Sequence, residues 1–490
     1  MPRKSQEGGN GVYREPKTRI LKPQEPKIKL PARASAWYLL SSGVTKGVGF
    51  IVTPIFTRLI SGEAYGKIIL YMTLLGGASL ICSAFNSGSA IYRGLQLSEG
   101  EQESFLRAAL TLSVCVSSLI SLLLFTFSPF LELKRVFYIP LSLQLLCDGI
   151  IGIMMSRARF YYKYKTVVAV NLISSVLPAI ITVWALKTRD FGYPVRIYSL
   201  LFVSICIAAF SLWWILSRGK AEPGRRKIKT AFKFALPLLP HSVSSAVTSQ
   251  ADKIIISSVM GAGALAKYSV VYSMGSVLQF VVTAVGSALS PWIIRRLRAE
   301  EQRKISELIA PMTLGYCALS LCLVGAAPEV LRILAPEEYF DALPALLPIA
   351  LSTPFYFIST VATVGIAYSG RIKESVFISL SDAVLCIILN YMLIGRLGYF
   401  GAGLSLLICQ TVNASLGIAL LPKEIGHRMI GIKKTAMAIL LSIPVGIVIS
   451  ELRESLIGRG IMLIIPAFML IYCLIKAKEL VLEKGRKIGA

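Results

Sequence analysis

The sequence predicts an all-α, polytopic membrane fold of about fourteen transmembrane helices, and three observations predict it. Of the 490 residues, 55% are apolar and only 16% charged, where an ordinary soluble domain carries about 25% charged residues. Together with a mean hydropathy of +0.67, that leaves too few charges to coat a water-facing surface. Apolar runs of the roughly 20 residues that cross a bilayer as a helix recur along the chain with short connections between them. Lys plus Arg number 52 against 26 Asp plus Glu, a net charge of +26, and the excess is concentrated in alternate connections, as the positive-inside rule requires.

The chain opens on a basic stretch, 1–34, with five prolines, three glycines and nine lysines or arginines. It lacks the short apolar core of a cleavable signal and is expected to be a disordered cytoplasmic tail. Six spans are expected over 35–216, centred near Gly47, Gly77, Ser117, Leu146, Ser175 and Cys206. A cytoplasmic linker follows at 217–233, where Glu222-Pro223-Gly224 ends the sixth span and 227–234 is patterned as an interfacial amphipathic helix. A second lobe of six spans covers 234–421, centred near Val247, Leu278, Cys317, Phe357, Leu385 and Thr411. Residues 422–490 supply two more, near Ser442 and Pro466, and a basic cytoplasmic tail.

Placing the N-terminus in the cytoplasm puts about 38 Lys and Arg in inner segments and about twelve in outer loops, the direction of the known bias. Both termini are therefore expected on the cytoplasmic side of the cell inner (plasma) membrane. The positive charge is then topology and lipid contact, and nucleic acid is not an expected partner. Nine cysteines, at 82, 115, 147, 206, 317, 322, 386, 409 and 473, sit in apolar segments without a CxxC pair and read as small buried hydrophobes. His241 and His427 are far apart in sequence, so neither a metal nor another cofactor is expected.

An internal repeat supports two lobes. The first span runs through Thr57-Arg58-Leu59-Ile60-Ser61-Gly62-Glu63-Ala64-Tyr65-Gly66 straight into a helix, and the seventh runs through Gly261 to Tyr268-Ser269 into another. Six helices per repeat is an even number, so the repeats are parallel, related by an axis along the membrane normal.

A helix that touches only lipid has no use for a polar face, so polar residues three or four apart mark a cavity or a helix contact. Such stripes are Ser42, Lys46, Gly49, Thr53 and Thr57; Gln144, Asp148, Gly152 and Ser156; Asn171, Ser175, Pro178 and Thr182. In the second half they are His241, Ser245, Thr248 and Asp252; Tyr272, Ser276, Gln279, Thr283 and Ser287; Ser375, Ser379, Asp382 and Asn390. Ser, Thr and Gly at this spacing also serve to pack helices together. Charges are different, because Lys or Asp at the bilayer centre costs about 2.5–3.5 kcal/mol. Lys46 and Asp148 are expected deep in their spans, Asp252 towards the outer edge, Asp382 towards the inner edge, and Lys253 near the outer interface. The cleft between the halves is expected to use Lys46, Arg58, Gln144, Asn171 and Gln279 to hold an anionic cargo. Asp148, Asp252 and Asp382 are the candidates for binding a proton or sodium ion. Pro237 and Pro240 are either a bending point or a static kink.

Several motifs carry a family resemblance. Phe234-Ala235-Leu236-Pro237-Leu238-Leu239-Pro240-His241-Ser242 with Asp252-Lys253-Ile254-Ile255-Ile256 resembles the seventh-span signature of Wzx-type polysaccharide flippases. Pro54-Ile55-Phe56-Thr57-Arg58-Leu59-Ile60 with Tyr65-Gly66 is similar to their first-span exit. Ala327-Pro328-Glu329-Val330, with Leu334 and Glu338-Tyr339, resembles the loop before their tenth span. Asn390-Tyr391-Met392-Leu393-Ile394 with Gly398-Tyr399-Phe400-Gly401-Ala402-Gly403 resembles their eleventh-to-twelfth junction. The likeness covers about 35–475 and places the chain in the superfamily of multidrug extruders, oligosaccharidyl-lipid flippases and polysaccharide exporters. It implies two six-helix lobes in a V plus two further helices. It also implies translocation of polyprenyl-pyrophosphate-linked oligosaccharide to the outer leaflet, for O-antigen or exopolysaccharide synthesis. Lipid-linked oligosaccharide, membrane lipids, polysaccharide-assembly proteins and a coupling proton or sodium ion are the partners it implies. Arg58, Asp252 and Lys253 match family motif positions, whereas Lys46, Asp148 and Asp382 rest on burial. The long Pro-rich start departs from the family.

The alternative on the same fold is an ion-coupled drug or cation antiporter, which favours an acidic, aromatic cavity and twelve spans. A membrane polymerase or ligase would need catalytic groups in a large outer loop, and no outer loop exceeds about fifteen residues. A scaffold without transport is a further possibility. With no phosphate-binding glycine loop in the sequence, ATP hydrolysis is not expected.

Overall fold

The computed structural model describes residues 29–487 apart from 87, 99, 131–132, 189–191, 218–223, 423–424, 426–428 and 453–454. Most of the basic start, the Glu222-Pro223 break and His427 lie outside the described residues. Among the described residues the secondary structure is helical, without strands. The helices are α1 Lys29–Leu59, α2 Gly62–Asn86, α3 Ser89–Leu97, α4 Gln102–Thr126, α5 Tyr138–Phe160, α6 Tyr164–Thr188, α7 Pro194–Leu216 and α8 Arg225–Ala235. They continue as α9 Leu239–Met260, α10 Ala262–Arg298, α11 Gln302–Leu334, α12 Leu346–Tyr368, α13 Ile372–Ala419, α14 Ile432–Glu451, α15 Leu456–Met462 and α16 Ile464–Lys487.

Every expected span centre falls inside a helix, and the chain is a multi-pass membrane protein. Ten helices among the described residues are long and apolar enough to cross a membrane, fewer than the fourteen expected. Two helices account for part of the shortfall. α9 carries a polar stripe that lowers its apolarity. α13 counts once although it doubles back. At Gly398 the backbone has φ 58° and ψ −132°, which glycine adopts without a Cβ penalty. A Cβ on Gly401 would lie 2.2 Å from the carbonyl oxygen of Leu393, whereas eight residues of straight helix span about 12 Å. The two legs, 372–397 and 399–419, run antiparallel, and Asn413 Nδ2 donates to Asp382 Oδ2 at 3.3 Å.

Helix starts follow local chemistry. Ser61 Oγ accepts from the Ala64 amide at 3.3 Å, and Glu63 in the first turn of α2 pairs with Lys67 one turn on at 2.6 Å, as the helix dipole favours. Pro237 and Pro240 lie in a 3-10 turn and the first turn of α9, where a missing N–H costs little. They therefore begin a helix rather than bend one. The linker does form the amphipathic helix α8. It buries Ala231 and Ala235, and Lys227 reaches Glu101 at 2.7 Å. That hydrogen bond and charge hold the Glu101 carboxyl below its ordinary range.

The cysteines are free. Six are buried as expected, but Cys115 and Cys206 are exposed and Cys322 is half-buried, because helices with few inward positions leave small residues on the membrane face.

The packing differs between the two ends of the bundle. At the end where α1, α9 and α11 finish, one apolar cluster joins both halves of the sequence. It combines Phe56, Tyr65, Tyr71, Phe137 and Ile197 with Ile256, Tyr268, Met274, Leu334 and Tyr339. At the opposite end the buried clusters are separate, one within 84–235 and one within 282–439. The join is tight. A Cβ on Gly66 would fall 1.7 Å from the carbonyl oxygen of Ala262, so α2 and α10, the repeat-equivalent helices, touch through a residue without a side chain. Midway along, Gly76 and Gly77 leave room for Gln250 of α9.

Overpacking a close helix contact costs about 1–3 kcal/mol. Gly66→Val is therefore expected to lower the thermal unfolding midpoint of the purified protein by several degrees. Gly49→Ala, at a position with no neighbour within 4 Å of a Cβ, should leave it unchanged.

Candidate functional site

Charged side chains in the helices fall into two groups, paired and unpaired. Arg58, expected in the cleft, belongs to the first. Its Nη1 donates to the carbonyl oxygens of Pro54 and Ile333, both at 3.1 Å, and its Nη2 to that of Arg332 at 3.1 Å. Beside it Thr57 Oγ1 donates to the Leu334 oxygen at 2.8 Å. These are the carbonyls that the C-terminus of α11 leaves without intrahelical partners. A cation there suits the helix dipole, so Arg58 latches α1 to α11 at the joined end.

Gln144 is also withdrawn from the cleft. It is 5% exposed, takes a hydrogen bond from Tyr71 at 3.3 Å and gives one to Ser204 at 3.3 Å, a network enclosed by α2, α5 and α7. Asp148, one turn further on, accepts from Ser79 Oγ at 3.0 Å. Asn171 and Gln279 are half-buried on α6 and α10, and their carbonyl oxygens accept from Ser175 and Thr283, both at 2.9 Å.

In the second half, Asp252 and Asp382 line one cavity with Thr248, Tyr272, Asn390 and Gln410. Their expected separation to opposite edges does not hold. Asp252 lies thirteen residues into α9 and Asp382 ten into α13, about 20 and 15 Å along parallel helices, so they meet at similar depth. Lys253, expected near the outer interface, has its side chain only 13% exposed. Its Nζ donates to the Ser249 carbonyl at 2.8 Å, lies 3.4 Å from Asp252 Oδ1 and sits 4.1 Å from the centre of the Tyr272 ring. Tyr268 completes the pair by donating to Asp252 Oδ2 at 2.8 Å.

Asp252 is thus neutralised locally, while Asp382 Oδ1, Asn390 Oδ1 and Gln410 Oε1 are buried without a hydrogen-bond partner. The cavity beside them has about 20 Å³ of free volume, room for one water-sized occupant. An all-oxygen donor set of that size suits a water or a small hard cation. Tyr268 and Gln410 were missed by the sequence reading. Gln410, three residues before Asn413 in the second leg of α13, was a signal available for this site.

Lys46 is the contrast. It is exposed on α1, with no ion pair or hydrogen bond to any described residue, beside exposed Ser42, Thr45 and Gly49. The packing around it breaks the repeat. α2 packs along α9, but the equivalent pair, α1 and α10, touch only slightly. Thr283 and Ser287 of α10 are exposed as well.

The fold and these charges are those of a polytopic membrane transporter with two clustered halves. Known proteins agree. The sequence matches the family model "Polysaccharide biosynthesis protein" over residues 32–297 and the MatE model over 237–392. The chain belongs to the polysaccharide biosynthesis protein family, as its motifs led us to expect. It is 24% identical over 348 residues to the succinoglycan biosynthesis transport protein ExoT of Rhizobium meliloti (strain 1021), a match covering 66% of each chain. It is 25% identical over 189 residues to the EPS I polysaccharide export inner membrane protein EpsE of Ralstonia nicotianae, covering 37% of this chain and 42% of that one. The backbone is similar to lipid II flippase MurJ in an inward closed conformation, with a TM-score of 0.66 at 13% identity over 90% of this chain and 99% of that one. It is also similar to an inward-facing multidrug resistance MATE family transporter of the MOP superfamily, with a TM-score of 0.62 at 14% identity over 85% and 99%. These relatives are named for transport and export rather than for catalysis.

Removing one partner of a largely buried ion pair typically costs about 3–5 kcal/mol. Asp252→Ala should therefore lower the unfolding midpoint markedly, and adding Lys253→Met should restore more than half of the loss. A double variant no better than the single would show that the two side chains are not coupled.

Proposed function

We propose that the protein flips a polyprenyl-pyrophosphate-linked oligosaccharide from the inner to the outer leaflet of the cytoplasmic (inner) membrane by alternating access, for cell-surface polysaccharide synthesis. The observation that carries this reading is the unpaired ammonium of Lys46 midway along α1, on a face of hydroxyls and glycine. An isolated cation at that depth is costly against hydrocarbon and is accounted for if the face lines water and awaits an anion. A phosphate suits a lysine, which binds as a point charge without a fixed fork.

On this reading 35–216 and 234–421 are two lobes and the chain crosses fourteen times. The joined end is the outer one. Arg157, Lys163, Lys227, Arg295, Arg296 and Arg298 gather at the other end, which the positive-inside rule assigns to the cytoplasm along with both termini. The weak α1–α10 contact lets a prenyl chain stay in lipid while its headgroup, far too polar to cross hydrocarbon unaided, enters between the lobes. Lys46, Asn171 and Gln279 are then cargo contacts, and Arg58 acts by closing the outer end.

Coupling to a proton or sodium gradient is proposed for Asp382 and Asp148, with Asp252 held in its ion pair. Drug antiport on the same fold is the weaker reading, since an unpaired lysine repels a cationic drug. Polysaccharide-assembly proteins are proposed partners.

Deleting the gene should leave a lipid-linked oligosaccharide on the inner leaflet and reduce surface polysaccharide. Wild type should restore export, Lys46→Ala should restore less than a tenth of it, and Lys46→Arg should restore an intermediate amount. An Asp148→Asn/Asp382→Asn variant should lose export several-fold with the ion gradient intact. Unchanged export by that variant would exclude both carboxylates from coupling.

A further inference from the structure

A cavity of about 700 Å³ lies in the second half, with α11 as its floor and α14 and α16 as its walls. α14 and α16 each pack along α11 but scarcely touch one another, so the three helices leave a wedge between them. One end of the wedge is shut, since a Cβ on Gly315 of α11 would fall 2.6 Å from Cys473 Sγ of α16. The other end is lined by Ser306, in the second turn of α11, and Lys434, in the first turn of α14. α11 starts just after the arginines of the last turn of α10, so this is the basic end of the bundle. No described residue of α1, α2, α9 or α10 lines the wedge.

The lining changes along the wedge. Towards the shut end it is apolar, with Ala310 and Leu314 on the floor and Met437 and Leu441 on one wall. From Ser306 to Leu314, or from Lys434 to Leu441, is about 10–12 Å of helix. Towards the basic end it holds two lysines, Lys434 and Lys476, and one carboxylate, Glu307. Glu307 already has Arg303 at 3.3 Å, which leaves the lysines in excess. Lys433 and Lys434 open α14, whose first turn holds no acidic residue and whose N-cap, Gly431, has no side chain to cap it. The dipole and the open amides of a helix start favour an anion, yet this chain supplies cations there. Both features call for an anion from outside the chain.

We propose that this wedge holds one anionic phospholipid of the cytoplasmic leaflet, its phosphate between Lys434 and Lys476 and an acyl chain over Leu314, Met437 and Leu441. A hollow that is cationic at the membrane surface and apolar further in fits a molecule that is anionic at one end and apolar along its length. The cytoplasmic leaflet supplies such lipids, and basic pockets between helices on that side bind them. The inference takes the orientation of the bundle from the transport reading and needs nothing else from it. Because no helix of the seam between the halves lines the wedge, a cargo headgroup held in that seam does not place its phosphate here, and the occupant is a resident lipid. It fills the gap between two helices that do not pack on each other, and so fixes α14 and α16 against α11.

The test is native mass spectrometry of the purified full chain in detergent, titrated with dioleoylphosphatidylglycerol, dioleoylphosphatidylcholine and undecaprenyl phosphate. Wild type should retain one phosphatidylglycerol about tenfold more tightly than phosphatidylcholine, and phosphatidylglycerol should raise its unfolding midpoint. Lys434→Gln/Lys476→Gln should lose that preference. Met437→Trp, which fills the groove from a position 60% exposed, should weaken phosphatidylglycerol binding while keeping the unfolding midpoint of the lipid-free protein. Lys229→Gln/Lys233→Gln removes the same charge from exposed positions of α8 and should bind as wild type does. Equal affinity of wild type for the two phospholipids, or wild-type phosphatidylglycerol binding by both groove variants, overturns the proposal. Loss of the preference in the α8 variant also overturns it, as a diffuse effect of charge. Displacement of phosphatidylglycerol by equimolar undecaprenyl phosphate would give the wedge to a prenyl chain and overturn it too. Export in the deletion strain separates the two readings. Restoration by wild type alongside any of these results sinks the lipid site alone, and failure of wild type to restore export sinks the transport reading alone.

Discussion

A charge placed among hydrocarbon tails must find a partner, reach water, or not be there. That constraint organises this molecule more than any apolar contact does, because helices in lipid gain little from burying leucine against leucine. Arg58 meets it by filling the open carbonyls of α11. Asp252 and Lys253 meet it by facing each other, with Tyr268 and Tyr272 enclosing them. Arg459 meets it with a bidentate grip on Glu329 at 2.7 and 2.6 Å, which ties α15 to α11. Once these pairs are set aside, Lys46, Arg196 and Asp382 are among the charges that no ion pair neutralises in the described chain. On the transport reading, these are charges available to meet a cargo or a coupling ion.

The same separation runs along the molecule. The joined end is held by directional contacts that tolerate no slack: Gly66 against Ala262, Thr57 and Arg58 on the last carbonyls of α11. The other end has two separate cores. On the transport reading, a bundle built this way would change state by releasing a few hydrogen bonds and one close helix crossing, without unpacking either half. Breaking the repeat at α1 and α10, while keeping it at α2 and α9, leaves one side of the interface loose even in the joined state.

The architecture was legible in the sequence because its causes are local. Apolar length sets the helices, Ser61 and Gly62 start α2, and the Gly398–Gly403 run turns α13 back on itself, as the junction motif implied. On the transport reading, the charge asymmetry orients the chain by counting. What was not legible depended on rotation about a helix axis and on neighbours distant in sequence. Lys46 was expected deep in its span and Lys253 near the outer interface, and only packing shows that Lys253 is enclosed with Asp252 and Tyr272 while Lys46 has no partner among the described residues. Gln144 reads as a cleft residue until Tyr71 and Ser204 are found on it. Asp252 and Asp382 were assigned opposite depths because span edges were judged from apolarity, which fades early in helices as polar as α9. Arg196, two residues after Pro194, looks like one more loop charge.

On the transport reading, the unsatisfied groups are sorted by sign as well as by position. The two cations, Lys46 and Arg196, belong to the first half, and the carboxylate with a free oxygen, Asp382, belongs to the second. An anionic headgroup and a coupling cation at Asp382 would then bind in different halves without neutralising one another, whereas Asp148, the other coupling candidate, shares the first half with the cations. Opposite charges placed together would bind each other and leave neither site available. Separation keeps both sites open but requires a mechanical link between them, and α2 is the helix positioned for it. It contributes Tyr65 beside Arg196, carries Ser79 opposite Asp148, and runs along α9, which holds Asp252. Tilting α2 by a few degrees would alter the cavity around Arg196 and the crossing at Gln250 together, so that occupancy in one half is felt in the other through a rigid rod rather than through charge.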